Sequence, residues 1–197
     1  MKPKVVEIFE NVFLIRTKEK KFHRNIYLRI FKNKERQINM IMDPARRKDY
    51  DKLFDILKDL IGGIQNINLI FLSHQDPDVA GNALNITKLS PAMIYTSYDS
   101  WRLVESYGID EDKMIPLERN LYKKIDFPTG HEIIFLPARY CHFFGAMMMY
   151  DLKSKILFTG DFFAGLNTKE GRGIFADEDS WEGIEVFHRL YMPCEKA

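Results

Sequence analysis

The sequence predicts an α/β protein in which two mixed β-sheets pack face to face with helices outside, an αββα sandwich. Three observations carry this expectation. Apolar runs of strand length open the chain, segments of strand and helix period alternate through its middle, and strands return in the second half before a final helix. Two halves that each pass from strands to helices bury their apolar faces most simply in such layers.

Composition sets the outer bounds. At 197 residues and 46% hydrophobic content the chain can bury one sizeable core, and residues 1–197 are expected to form a single domain. A net charge of +1, from 29 basic and 28 acidic residues, gives no overall attraction to nucleic acid or to an anionic membrane, so function is expected at a local site. The opening Met1-Lys2-Pro3-Lys4-Val5-Val6-Glu7 is too polar for a signal peptide, and no apolar run is long enough to span a bilayer. The expected location is cytoplasmic. Cys141 and Cys194 are the two cysteines and form no paired motif, which predicts neither a disulfide framework nor a zinc ribbon.

In order, strand-like runs are expected at 12–15, 25–30 and 37–42, separated by charged turns. The period then changes. Asp43 is a candidate N-cap for a helix with an apolar stripe at Leu53, Phe54, Leu57, Leu60 and Ile61, which Gly62-Gly63 ends. A buried strand at 69–72 leads to a loop, a helix over 79–89, a strand at 93–95, a helix over 97–107 and a short strand at 114–117. Strands follow at 123–127, 132–136, 146–150 and 155–159, then a polar stretch at 167–179 and a last helix over 181–190.

Candidate metal ligands gather at strand ends. His74, Asp76 and Asp78 alternate in a loop after the 69–72 run, His142 follows the 132–136 strand, and Asp161 follows 156–158. Imidazole nitrogen and carboxylate oxygen suit iron, manganese or zinc, and the absence of thiolate from this set points to an open, reactive site rather than a closed structural one. Asp161 has two oxygens, one for each of two cations, so a dinuclear centre is permitted.

The run His74-Gln75-Asp76-Pro77-Asp78, the segment Pro137-Ala138-Arg139-Tyr140-Cys141-His142-Phe143-Phe144-Gly145 and the turn Phe158-Thr159-Gly160-Asp161 resemble the metallo-β-lactamase fold. More narrowly, they resemble the di-iron domain of flavodiiron proteins and of stand-alone oxygen-binding di-iron proteins, over nearly the whole chain. The resemblance implies a first iron held by His74, Asp76, His142 and Asp161, and a second held by Asp78, the bridging Asp161 and further histidines. It implies O2 binding at a ferrous site, as a sensor or as an O2 or NO reductase fed by an external redox protein, with a signalling partner and a homo-oligomer both compatible. Alternatives are a metal-dependent hydrolase, with zinc or manganese, and a non-catalytic signalling domain. Hydrolases of the fold carry His-x-His-x-Asp-His, and Asp76 and Val79 depart from that pattern. Asp76 also stands where the di-iron branch has Glu, and Val79 where it has His, so the first metal site is expected to be more complete than the second. The family's last histidine follows a further helix and strand, which the fold expected here lacks. No flavin or dinucleotide glycine motif is present, Gly171-Arg172-Gly173 being too short.

Other conspicuous residues have plainer readings. His131 and His188 fit a turn and a helix, and His23 lies at most at the site entrance. Met147-Met148-Met149 fits strand packing, because neighbours in a strand point to opposite faces. Cys141 fits a small buried residue, Phe143, Phe144, Phe162 and Phe163 an apolar wall around the ligands, and 18–21 and 46–48 solvated basic faces.

Overall fold

The computed structural model describes residues 4–18, 23–118, 121–166 and 174–193. Cys194, the Gly171-Arg172-Gly173 run, most of the 18–21 basic cluster and the first part of the 167–179 stretch lie outside these residues. The strands are β1 (Lys4–Phe9), β2 (Val12–Lys18), β3 (His23–Lys32), β4 (Gln37–Met42), β5 (Leu69–Phe71), β6 (Met93–Ser97), β7 (Met114–Leu117), β8 (Lys123–Asp126), β9 (Glu132–Pro137), β10 (Met147–Asp151) and β11 (Ile156–Phe158). The helices are α1 (Tyr50–Ile61), α2 (Pro77–Ala80), α3 (Ala83–Leu89), α4 (Tyr98–Val104) and α5 (Ser180–Tyr191).

Strands β1 to β7 form one sheet in sequence order, antiparallel from β1 to β4 and parallel from β4 to β7. The second sheet runs β11-β10-β9-β8 and is antiparallel. The period-2 pattern divides the apolar residues between two cores. On β3, Ile26, Leu28 and Ile30 join Leu53 and Leu57 of α1, Ala83 and Ile86 of α3 and Val104 of α4 beneath the helices. Phe31, Met40, Met42 and Phe71 face the other way and meet Phe135, Met147, Met149 and Phe158 between the sheets. Met148 takes the opposite face of β10 from Met147 and Met149, as strand alternation requires.

A buried ion pair lies in the same inter-sheet layer. Arg29 of β3 donates through Nε to Asp151 Oδ2 at 2.7 Å, with the two side chains 1% and 0% exposed. Arg29 Nη1 reaches the carbonyls of Glu10, Asn11 and Ile30, and Asp151 Oδ1 accepts from the backbone N–H of Lys153 at 3.0 Å.

Three expectations needed correction. A fourth antiparallel strand, β1, precedes the three read from the sequence; it is a mostly exposed edge whose apolar positions are broken by Lys4 and Glu7. Asp43 is no helix cap. It takes a left-handed φ of 49°, and α1 starts at Tyr50 after a 3-10 turn over Arg47–Asp49. Third, the helix expected over 79–89 is broken into α2 and α3. Asn82 Nδ2 donates at 2.8 Å to the carbonyls of Pro44 and Arg46, and a Cβ on Gly81 would lie 2.8 Å from Arg47 N, so the 43–48 loop presses into the break. Among the described residues, no helix is long and apolar enough to cross a membrane.

Candidate metal centre

The carboxyl ends of β4 and β5 and the loops after β9 and β11 open into one cleft of about 1300 Å³, whose lining includes Asp76, Asp78, His142 and Asp161. Strand β5 ends at Phe71, and the chain turns through Ser73 and His74 before α2 begins at Pro77 with Asp76 as its extended N-cap. Asp43 holds this turn. Its Oδ1 accepts the Ser73 N–H and its Oδ2 accepts the Ser73 hydroxyl, both at 2.8 Å. Because that hydroxyl donates to Asp43, its oxygen is left to accept from His74 Nδ1 at 2.9 Å. The chain of bonds therefore places the His74 proton on Nδ1 and aims Nε2 into the site, the usual way a second layer of groups orients an imidazole ligand. Burial pushes the Asp43 carboxyl up to about 6, against the opposing charge of His74 and the bonds from Ser73.

His74 is 1% exposed and its Nε2 is buried with no hydrogen-bond partner. The carboxylates of Asp76 and Asp161 stand 3.6 and 3.8 Å from it, too long for hydrogen bonds and placed as if around a common centre. Burial opposes charge on this imidazole, but Asp76, Asp161 and Asp43 outweigh it and raise the pKa.

His142 enters from the 138–146 loop at a left-handed φ of 79°, a conformation that non-glycine residues adopt at a cost and that is concentrated at functional sites. Its Nε2 lies 3.0 Å from Asp76 Oδ2 and 3.9 Å from Asp161 Oδ2. On the other side of the ring, Nδ1 donates to the Tyr191 carbonyl at the end of α5, at 3.2 Å. Two acceptors flank this ring, and the bond to Asp76 is the main reason its pKa rises. The same bond holds the Asp76 carboxyl well below the usual carboxylate range. A metal cation at this point would replace the Nε2 proton.

Asp161 reaches the group because Gly160 lets the exit of β11 pass against the β5 turn. Gly160 has φ +58°, and a Cβ there would lie 2.7 Å from both Cβ and Oγ of Ser73. Burial raises the Asp161 carboxyl more than His74 and His142 lower it, and Asp78 and Asp76 add repulsion. Gly160→Ala is therefore expected to displace the Asp161 turn. The strained φ and the overpacking together should cost about 1–3 kcal/mol and reduce bound metal, which chemical melts and metal analysis on one preparation would measure.

His74, His142 and Asp161 offer ligand atoms within 4.8 Å of one another, and Asp76 lies against both imidazoles. A buried, unpartnered imidazole nitrogen among carboxylates is a donor set that fits a divalent iron, manganese or zinc ion. Asp78 is not one of these three ligands: it acts on Asp161 by repulsion and pairs with Arg24 of β3 at 3.0 Å. Phe162 and Phe163 line the cleft, whereas Phe144 packs on Tyr140 and Arg139; Phe187 and Tyr191 are the rings beside His142. His131 is buried against Thr129 and Phe31, far from any ligand role. His23 lines the cleft, and the half-buried Cys141 thiol is pushed up by burial. The roles of Asp43, Ser73, Arg24 and the Tyr191 carbonyl were not foreseen. A Ser-His pair after a buried strand was the available signal for the first two, and the last two have no local one.

The comparisons agree with this architecture. Residues 22–197 match the sequence model of the ODP family beta lactamase. A putative diflavin flavoprotein A 2 from Nostoc sp. (strain PCC 7120) is 30% identical over 159 residues, covering 79% of this chain and 26% of that protein. The chain spans about a quarter of the length of the curated relatives it matches. The apo state of the chemotaxis sensor ODP from T. denticola superposes with a TM-score of 0.75 at 25% identity, over 98% of this chain and 78% of the sensor. The peroxy diiron species of chemotaxis sensor ODP gives 0.76 at 24% identity, over 100% and 78%. With its two-sheet frame, its strand-end histidines and carboxylates, and a match over nearly all its length, the chain belongs to the ODP family of β-lactamase-fold proteins.

Proposed function

We propose that this chain is an iron-binding, oxygen-responsive domain in which His74, Asp76, His142 and Asp161 hold the metal. The observation that carries the reading is the buried, unpartnered Nε2 of His74, facing two carboxylates and a second imidazole. The diiron sensor among its relatives supports iron over other divalent ions. Ferrous iron in this position would supply the affinity for O2 and the change of oxidation state. The protein's own part is positional. Asp43 and Ser73 hold His74 Nδ1 protonated, the Tyr191 carbonyl does the same for His142, and Asp76 and Asp161 supply the negative charge that favours a cation. Phe162 and the largely exposed Phe163 form part of the cleft wall.

The resemblance to flavodiiron proteins carries a second reading, O2 or NO reduction with electrons from a separate redox protein, and relatives that are named as flavoproteins are compatible with it. Hydrolysis is less well supported, because Asp76 and the buried Val79 take positions that hydrolases of the fold give to histidine. Anaerobic purification, followed by metal analysis and exposure of the ferrous protein to O2, tests all three. The expected outcome is iron, with a visible spectral change on O2 exposure that reverses slowly with reductant. Fast repeated turnover with a reductant would move the reading to a reductase. Zinc, ester hydrolysis and no response to O2 would reject it.

A further inference from the structure

We infer that Arg24 takes the place of a second metal cation, so that this cleft holds one tightly bound metal per chain. The inference rests on the proposed ligand set of His74, Asp76, His142 and Asp161, and concerns the carboxylate which that set leaves out.

A second cation beside Asp161 would call on Asp78 and further imidazoles. In this chain Asp78 Oδ2 accepts from Arg24 Nε at 3.0 Å, across 54 residues of sequence and from a strand of the larger sheet. A guanidinium remains charged at every working pH and presents donors matched to a carboxylate, so Asp78 is neutralised without metal. The next residue offers nothing to a cation. Val79 is 7% exposed and packs in the core beneath the helices with Ala83 and Ile86. Among the described residues, His74, His142 and Asp161 are the compact group of ligand atoms; Asp76 joins it through His142 at 3.0 Å, whereas Asp78, near enough to Asp161 to repel its charge, is bonded to Arg24.

Charge gives an independent reason. Three carboxylates, Asp76, Asp78 and Asp161, are balanced by one divalent cation together with the Arg24 guanidinium. With Arg24 in place, a second divalent cation would carry these three carboxylates from neutrality to an excess of positive charge, which the Asp43 carboxylate behind His74 offsets only in part. Low local dielectric makes such an excess costly.

The test is an anaerobic titration of the apo form of the full chain with Co(II), read by visible absorption, and with Fe(II), read by metal analysis after gel filtration. The parent protein is expected to saturate at one equivalent. Arg24→Ala exposes Asp78 and is expected to admit a second equivalent, roughly tenfold or more weaker than the first because, among the described residues, no further imidazole joins Asp78 in a ligand group. Arg24→Gln, which keeps the length without the charge, should do the same and guards against a strand disturbed by alanine. Arg24→Lys should return the count to one. Two tight equivalents in the parent overturn the inference. One equivalent in both uncharged variants overturns the role of Arg24. No binding by the parent, or one equivalent that survives His74→Ala, overturns the ligand set itself and this inference with it. Those failures are thereby told apart.

Discussion

Replacing Asp151 by alanine is expected to destabilise the fold by about 3–5 kcal/mol, the usual cost of removing one member of a buried ion pair. For a chain of this length that corresponds to a fall of roughly 10 °C in the unfolding midpoint. The cause is the Arg29 guanidinium, which would remain charged in the layer between the sheets with Phe31 beneath it at 4.9 Å. It could not retreat to water, because β3 is the third of seven strands and both its faces are covered. Its Nη2 already lacks a partner and its Nη1 meets only uncharged backbone carbonyls, which satisfy hydrogen bonds without balancing the charge. Asp151→Asn keeps an oxygen for the Lys153 N–H and should recover about 1 kcal/mol, the share of one turn hydrogen bond. The double variant Arg29→Met, Asp151→Leu should recover most of the loss, since apolar replacements of a whole buried pair are often neutral. Urea melts of the metal-free proteins would decide it. A loss below about 1 kcal/mol for Asp151→Ala, the range of a surface pair, would show that the pair is not acting as a buried one.

Iron content should fall from stoichiometric to trace in His74→Ala. Loss of partners outside the ligand shell already weakens metal sites by about 10–100-fold, and loss of a ligand itself exceeds that. Because His74 is buried, the variant should also lose some stability, so a second buried histidine is the proper control. His131→Ala removes a ring of the same size from the other core, where it contacts Thr129 and Phe31. It should lower stability while leaving iron content unchanged. Full iron retention by His74→Ala would place the metal elsewhere.

Much of this architecture was legible because its signals are local. The strand runs at 37–42 and 114–117 coincide with β4 and β7, where alternation or a short apolar burst is bounded by charged turns. Gly62 ends α1 in a left-handed cap as its position implied. What escaped depends on contacts distant in sequence. The break after Ala80 comes from carbonyls of the 44–46 segment, and periodicity within 79–89 carries no trace of them. Asp43 before Pro44 looked like a cap, yet its carboxylate serves a turn 30 residues later. His74, His142 and Asp161, which the fold brings together, could be picked out because their residue types at strand ends state the chemistry. Arg24 could not, since a basic residue near a charged turn resembles any solvated one.

The bond between His142 Nδ1 and the Tyr191 carbonyl has one more consequence. The final turn of a helix is its least cooperative part, held by few bonds and prone to fray. Here that turn sets the tautomer of a proposed ligand, so opening α5 and releasing the metal become linked equilibria. Reciprocity follows from linkage: whatever factor an intact last turn adds to metal affinity, a bound metal adds to the closing of that turn. The end of α5 would thus report, through its own order, whether the cleft 49 residues back along the chain is filled.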